Sequence, residues 1–337
     1  MLMTAAELLC KPLMMDLRYI PSLMNESVRA INQMAEEGRP EEPKLNSYLV
    51  SPEGESMSLS DGLPSEKRAP GSMIAVVPLQ GILTRHGYSS WFSANIGTLE
   101  IGRHLKALDA DEAVGTIVLN VNTPGGTVAG TPELAQILYG IREAGKTKTI
   151  AVVDPLMASA GTYIATAAEK VFAIPSADVG SVGVINSYSD YSKFLEERGI
   201  SIEYFRHPEK KARFTSVEPM DDSMRERMME GIMEAYGLFV ADMARNRGVS
   251  EKHVEEHFGK GDTMSAKEGV DVKMIDGIRS LDDVIVELVT ENQSKQRATM
   301  RRMAEERMKS VQALDGVDAS ADEVEASEEA TEEVAQA

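Results

Sequence analysis

Apolar residues along this chain fall into short blocks that switch between strand and helix periods. Met73-Ile-Ala-Val-Val-Pro-Leu-Gln80, Gly115-Thr-Ile-Val-Leu-Asn-Val121 and Thr149-Ile-Ala-Val-Val-Asp154 are nearly continuous apolar runs of strand length, the pattern of strands covered on both faces. Between them, apolar positions recur at helical spacing around Ile101–Leu108 and over Thr131–Ala144. A helix of small residues is predicted from Ala160 to Ala168. Strand and helix in alternation predict an α/β core with parallel strands and crossover connections. Val171-Phe-Ala-Ile174 and Val182-Gly-Val-Ile185 predict two short strands, and Tyr191–Arg198 a helix. Asp221–Arg247 predicts a long helix with Met228, Ile232, Tyr236, Phe239 and Met243 near one face. Val249–His257 and Ala266–Val270 are helical in pattern, and the core is expected to end near Leu288.

Both flanks differ from this core. Residues 1–37 carry apolar positions at helical spacing, at Leu13, Met14, Leu17 and Ile20 and again at Val28, Ile31 and Met34, and predict a helical preface. Residues 38–72 hold Pro40, Pro43, Pro52, Pro64 and Pro70 among glycines and charges, which predicts a linker. Residues 289–337 are first basic and then acidic. Lys295, Arg297, Arg301, Arg302, Arg307 and Lys309 precede a stretch, 315–337, with nine acids and no base. Such a tail is disordered or loosely helical. The expected organisation is therefore preface and linker over 1–72, one core domain over 73–288, and a tail over 289–337.

Composition narrows the function classes. A net charge of −19 argues against nucleic acid as partner, because phosphate binding needs clustered Lys and Arg. Cys10 is the single cysteine, so an intrachain disulfide is excluded. With five scattered histidines there is little material for a metal site, and neither metal nor cofactor is expected. No apolar run approaches the ~18 residues of a membrane span. The N-terminus has Glu7 in its apolar stretch and no basic lead-in, a poor signal peptide. The expectation is a cytoplasmic protein without a membrane partner.

The chemistry centres on Ser159. It follows the strand ending near Asp154 and opens the small-residue helix, so its hydroxyl is expected at a strand-to-helix turn. There it lies beside amide groups without intrahelical partners, at the positive end of the helix dipole. Thirty-three residues upstream, Pro124-Gly125-Gly126 ends another buried strand. Glycines lack a Cβ and can bring bare amides close to a ligand. A serine before a helix is usually a cap and a Pro-Gly-Gly usually a turn. Together, in this order, they suit a nucleophile and two backbone donors for acyl transfer. For the base, the residues offer either His207, in a triad, or a lysine of the Lys210-Lys211 pair.

These segments resemble the SppA/protein C family of serine peptidases, which comprises signal peptide peptidase A and the phage capsid proteases. The likeness covers residues 73–288. Asn122-Thr123-Pro124-Gly125-Gly126 is similar to the family's Asn-Ser-Pro-Gly-Gly, and Ala158-Ser159-Ala160-Gly161-Thr162-Tyr163 to its nucleophile segment. Gly180-Ser181-Val182-Gly183-Val184 resembles its Gly-Ser-Ile-Gly-Val run, and Gly269-Val-Asp-Val-Lys-Met-Ile-Asp276 its closing element. The resemblance implies a ClpP/crotonase-type core of repeated β-β-α units. It implies Ser159 as nucleophile, Lys211 as general base and Ser181 as the hydroxyl holding the lysine. The oxyanion donors would be the N–H of Ala160 and of one glycine of the pair, Gly125 ahead of Gly126. Around Lys211 this chain departs from the family, with Pro208-Glu209 where a glycine is usual. A lysine acting as base must be neutral, and with an ordinary pKa near ~10.4 few are at pH 7, so such a site must be dry or positively charged.

The resemblance also implies protein or peptide substrates and a homo-oligomer whose sites draw on adjacent subunits. Lacking an anchor, and with a preface and a charged tail, the chain resembles the phage branch. That implies a head maturation protease acting on scaffold or capsid-type proteins inside a prohead. A cytoplasmic SppA-like peptidase of a bacterial host and a scaffold protein on an inactive peptidase core are the alternatives.

Overall fold

The computed structural model describes residues 13–15, 45–59, 68–89, 94–95 and 97–334. In chain order the elements are β1 (Leu13–Met15), β2 (Tyr48–Val50), β3 (Ser56–Ser58), β4 (Met73–Gln80), β5 (Tyr88–Ser89), β6 (Ala94–Asn95), α1 (Thr98–Ala110), β7 (Val114–Thr123) and β8 (Gly125–Thr127). Next come α2 (Thr131–Ala144), β9 (Lys148–Ala158), α3 (Ala160–Ala165), β10 (Lys170–Ala173), β11 (Asp178–Gly180), α4 (Ser192–Glu197) and α5 (Asp222–Arg247). The chain closes with α6 (Glu251–His257), β12 (Thr263–Ser265), α7 (Ala266–Asp271), β13 (Gly277–Ile278) and α8 (Leu281–Val334). Two compact units result, 1–285 and 286–337.

The first unit is α/β. Its main sheet runs β12-β11-β9-β7-β4-β2-β3, with β10 pairing β9 and β13. β4, β7 and β9 are mutually parallel neighbours, as their unbroken apolar runs predict, and Ile74, Val77, Ile117, Leu119, Val121, Ala151 and Val153 are all buried. Leu105 and Leu108 of α1 and Leu134 and Leu138 of α2 join the same core, each buried side chain contributing ~1.5–3 kcal/mol of transfer free energy. β9 is shared by two partners in succession. Its first half, Ile150–Val153, pairs β10, whereas Leu156–Ala158 pairs β11. That switch brings Gly180 alongside Ala158, immediately before Ser159.

Three expectations are revised by these elements. The stretch 38–72 is more than a linker: β2 joins the sheet antiparallel to β4, and β3 pairs β2. Tyr48-Leu49-Val50 is too short an apolar run to stand out among prolines and charges. Leu13–Met15, expected in a helix, is a strand, and three apolar residues cannot by themselves distinguish the two periods. The rest of the predicted helical preface lies outside the described residues. The strand expected at Val182–Ile185 is displaced to Asp178–Gly180. In the second unit the tail is helical, within α8.

Candidate active site

Ser159 stands at the turn between β9 and α3 with φ 54° and ψ −113°, backbone that a side chain-bearing residue rarely adopts. Hydrogen bonds hold it there. Its N–H donates to the Gly180 carbonyl at 2.8 Å, and its carbonyl accepts the N–H of Tyr163 at 3.0 Å, opening α3. Ser159 thus occupies the cap position of α3, yet its hydroxyl makes no cap hydrogen bond. The residue is 1 % exposed, and among the described residues its Oγ has no hydrogen-bond partner. A buried hydroxyl left unpaired costs ~1–3 kcal/mol. Strained backbone and orphaned buried polar atoms are features that cluster at functional sites, and Ser159 combines the two.

The six residues of α3 are all buried, and the helix is pinned from two sides. The Thr162 hydroxyl sits 2.8 Å from the Gly180 carbonyl and 2.9 Å from that of Met157. The Tyr163 ring stacks on Phe239 of α5, centroids 4.7 Å apart, and its hydroxyl donates to Asp242 at 2.6 Å. Burial, and then this bond to Asp242, push the Tyr163 phenol well above its ordinary range, so it stays a proton donor. Arg245 pairs the other Asp242 oxygen at 2.8 Å.

The glycine pair forms β8, beside α3. Leu83 takes one edge of it: the Leu83 N–H donates to Gly125 C=O, and Thr127 N–H to Leu83 C=O, both at 2.8 Å. A Cβ on Gly126 would lie 1.8 Å from the Leu83 oxygen, so only glycine allows this approach. Gly125, at φ 102°, donates its N–H to Thr123 Oγ1 at 3.0 Å, and that hydroxyl donates to Gly81 C=O at 2.6 Å. Along a strand the backbone groups alternate in direction. The N–H and C=O of Gly126 therefore point away from Leu83, toward the edge that β1 occupies. A Cβ on Gly161 would meet Thr123 Cγ2 at 2.3 Å, a measure of how closely α3 packs on the end of β7.

Ser181 follows β11 at φ 54° and is buried. Its N–H donates to Asp262 C=O at 2.8 Å, and its hydroxyl donates to Gly261 C=O at 3.1 Å. The hydroxyl proton being committed, its lone pairs are directed to acceptance, which suits a partner such as an amine. A cavity of about 870 Å³ opens here, walled by Val182, Val184, Ile232 and Tyr236 and bordered by Lys260 and Asp262. Lys260 is a cation that sequence reasoning did not single out. Its flanking Gly259 and Gly261, both at positive φ, shape the loop that carries it.

The lysine candidates are placed otherwise. Lys210 and Lys211 are both exposed, in a turn closed by the Lys211 N–H to Pro208 C=O at 2.9 Å. Ser159 Oγ being unpartnered, neither lysine nor His207 is bonded to it. Ser159, Ala160, the glycine pair and Ser181 are thus gathered around the ends of β7, β9 and β11, and the expected base stands apart in solvent. The segment carrying it exposes large apolar side chains, with Phe205 90 %, Tyr191 55 % and Ile200 51 % accessible.

Residues 142–296 match the model of Peptidase family S49. The chain carries a peptidase family S49 domain. Ser159, Ser181 and Lys211 lie within the matched residues of the S49 domain, and Gly125-Gly126 lies before them. The chain is 27 % identical over 233 residues to the capsid assembly protease C of Escherichia phage lambda, covering 68 % of this chain and 52 % of that protein. It is 26 % identical over 225 residues to a protein of Enterococcus faecium assigned as signal peptide peptidase SppA, covering 66 % and 62 %. The head-tail preconnector protein GP5 of Enterobacteria phage P21 is 25 % identical over 218 residues, covering 64 % and 43 %. The chain thus spans about half the length of these relatives. Among the described residues no helix is long and apolar enough to cross a membrane.

Proposed function

We propose that this S49 domain is a serine endopeptidase with a Ser159–Lys211 dyad, and that the chain is a phage or prophage head maturation protease. The observation that carries the chemistry is Ser159 itself: strained, buried, its hydroxyl unpaired, beside a glycine strand. In this reading neutral Lys211 removes the Ser159 hydroxyl proton as Oγ attacks a peptide carbonyl. The oxyanion rests on the N–H of Ala160 and of Gly126, a stabilisation of several kcal/mol (on the order of 3 per donor). Gly126 is preferred to Gly125 because the Gly125 N–H already has Thr123 Oγ1. The lysine then protonates the leaving amine, and water releases the acyl group and restores Ser159. Ser181, with lone pairs free, accepts from the lysine amine and holds it in line.

Lys211 in solvent and Ser159 buried within one chain support a site completed by a second subunit. The apolar side chains exposed on the lysine segment are what an intersubunit contact would cover. The phage role is supported by the two phage relatives, and the substrates would then be scaffold or capsid-type proteins. The SppA-like match favours a second reading, a bacterial peptidase acting on signal or other peptides.

Mixing distinguishes the parts. Ser159→Ala and Lys211→Ala proteins should each be inactive, and co-assembled they should regain activity. Absence of rescue in verified mixed oligomers would refute the shared site. A labelled fluorophosphonate should modify wild type and not Ser159→Ala, and equal labelling of both would refute the nucleophile. Co-expression with a capsid or scaffold protein, followed by mass spectrometry of new termini, tests the substrate class.

A further inference from the structure

β1 lies on the one edge of β8 that chemistry needs. Leu13–Met15 pairs antiparallel with Gly125–Thr127 in the register Leu13↔Thr127, Met14↔Gly126 and Met15↔Gly125. On the opposite edge Leu83 bonds to Gly125 C=O and Thr127 N–H. The backbone alternation therefore makes Met14↔Gly126 the hydrogen-bonded pair and Leu13↔Thr127 the non-bonded one. Gly126 N–H, the donor preferred above for the oxyanion, thus faces the backbone of Met14. One N–H cannot serve both in full. An extended peptide added to this edge would meet the same row of groups in the same direction.

We propose that Leu13–Met15 is an internal occupant of the peptide-binding edge at Gly125–Thr127, and that an extended protein substrate must displace it. The proposal rests on the proteolytic reading for its consequence, but the occupancy itself is a matter of backbone pairing. A three-residue strand is weak alone. It belongs to the same chain as β2 of the main sheet, so it competes with an added peptide intramolecularly. Such an occupant excludes short, weakly bound peptides and yields to a longer segment that pairs over more residues. The competent fraction of the protein is lowered accordingly, and the apparent affinity for substrate falls by that fraction.

The test uses the full chain. Met14→Pro removes the N–H that would donate to Gly126 C=O. In a Ser159→Ala background, where nothing is cleaved, a fluorescein-labelled peptide of residues 9–19 with serine at position 10 is titrated by anisotropy. Met14→Pro should bind it at least about threefold more tightly than the Met14 protein; equal or weaker binding overturns the proposal. Independently, with Cys10→Ser, the pair Leu13→Cys/Thr127→Cys places two thiols at a non-bonded position whose Cα separation is ~4.5 Å, within disulfide range. Oxidation should form that cross-link, seen by peptide mass mapping, and abolish binding of the labelled peptide until reductant is added. Failure to cross-link in a folded protein, or undiminished binding when cross-linked, also overturns it. With Ser159 present, Met14→Pro should lower KM and leave kcat unchanged. If the peptide binds as expected and no form cleaves it, the occupancy stands and the proteolytic reading falls.

Discussion

Gly161 gives the sharpest check on how the site is assembled. In Gly161→Ala the new methyl would lie 2.3 Å from Thr123 Cγ2. Ordinary carbon–carbon contact is ~3.5–4.0 Å, so one side must retreat by more than an ångström. Thr123 resists, because its Oγ1 bonds both Gly81 C=O at 2.6 Å and Gly125 N–H at 3.0 Å, and a β-branched side chain has few rotamers to escape into. Helix α3 resists through Tyr163 and Thr162. Overpacking of this kind costs ~1–3 kcal/mol, and a shift of about 1 Å between nucleophile and oxyanion donors costs on the order of 100-fold in rate. Gly161→Ala should therefore lose roughly that factor in kcat on a fluorogenic peptide, with slower fluorophosphonate labelling and a lower Tm. The structure also supplies the remedy. Thr123→Ser removes Cγ2 and keeps the hydroxyl, after which the nearest atoms to the new methyl are Thr123 Cβ and O, each at 3.7 Å. The double variant should recover most of both activity and Tm. Full activity in Gly161→Ala alone, or no recovery in the double variant, would show that α3 and β7 do not set the site's geometry in this way.

Other consequences follow from single contacts. Tyr163→Phe keeps the stack on Phe239 and loses the hydrogen bond to Asp242, which Arg245 still pairs; a loss of ~1–3 kcal/mol should appear as a lower denaturation midpoint. Asp276 accepts Val171 N–H at 2.8 Å and Arg247 Nη1 at 3.0 Å. Burial works against its charge, but Arg247, the Val171 N–H and Lys170 together outweigh it and the carboxyl is held below its ordinary range. Its contribution is then complete above the unfolded value near ~4 and is lost as pH falls through the lower folded value. Asp276→Asn should accordingly lower Tm at pH 7, with the gap to wild type closing on acidification toward pH 3; a gap independent of pH would contradict this. If a lysine is the base, kcat/KM should rise from neutral toward alkaline pH in wild type and equally in His207→Ala, whereas a limb near ~6.5 abolished by that substitution would favour a triad.

The core strands were legible because strands buried on both faces are written as unbroken apolar runs, as Ile74–Val77 and Ile117–Leu119 show. The position of Ser159 was legible too, since strand, turn and small-residue helix adjoin in the sequence. Its strained backbone was not, because φ 54° is imposed by Gly180, a residue from another strand. Val182-Gly-Val-Ile185 misled because its apolar side chains belong to a cavity wall and the end of the sheet, while the pairing falls on Asp178–Gly180. β2 was hidden by its company of prolines. The tie from Tyr163 to Asp242 spans 79 residues and no local pattern announces it. The motif ending at Asp276 was visible as a likeness, and its reason is now physical: one carboxylate closes β10 against the Arg247 end of α5. Lys211 could be picked by the family resemblance, but a likeness says nothing about which surface a polar turn will meet.

The carbonyl that receives both the Ser159 N–H and the Thr162 hydroxyl belongs to Gly180, and the N–H that reaches Asp262 belongs to Ser181. These two groups are opposite ends of one rigid peptide plane. The proposed nucleophile and the hydroxyl proposed to hold its base are therefore geared to a common plate, with the loop at Asp262 on its far side. Turning that plate re-aims both serines at once, so their relative placement has a single torsional setting, and whatever grips the Asp262 loop has its hand on the dial.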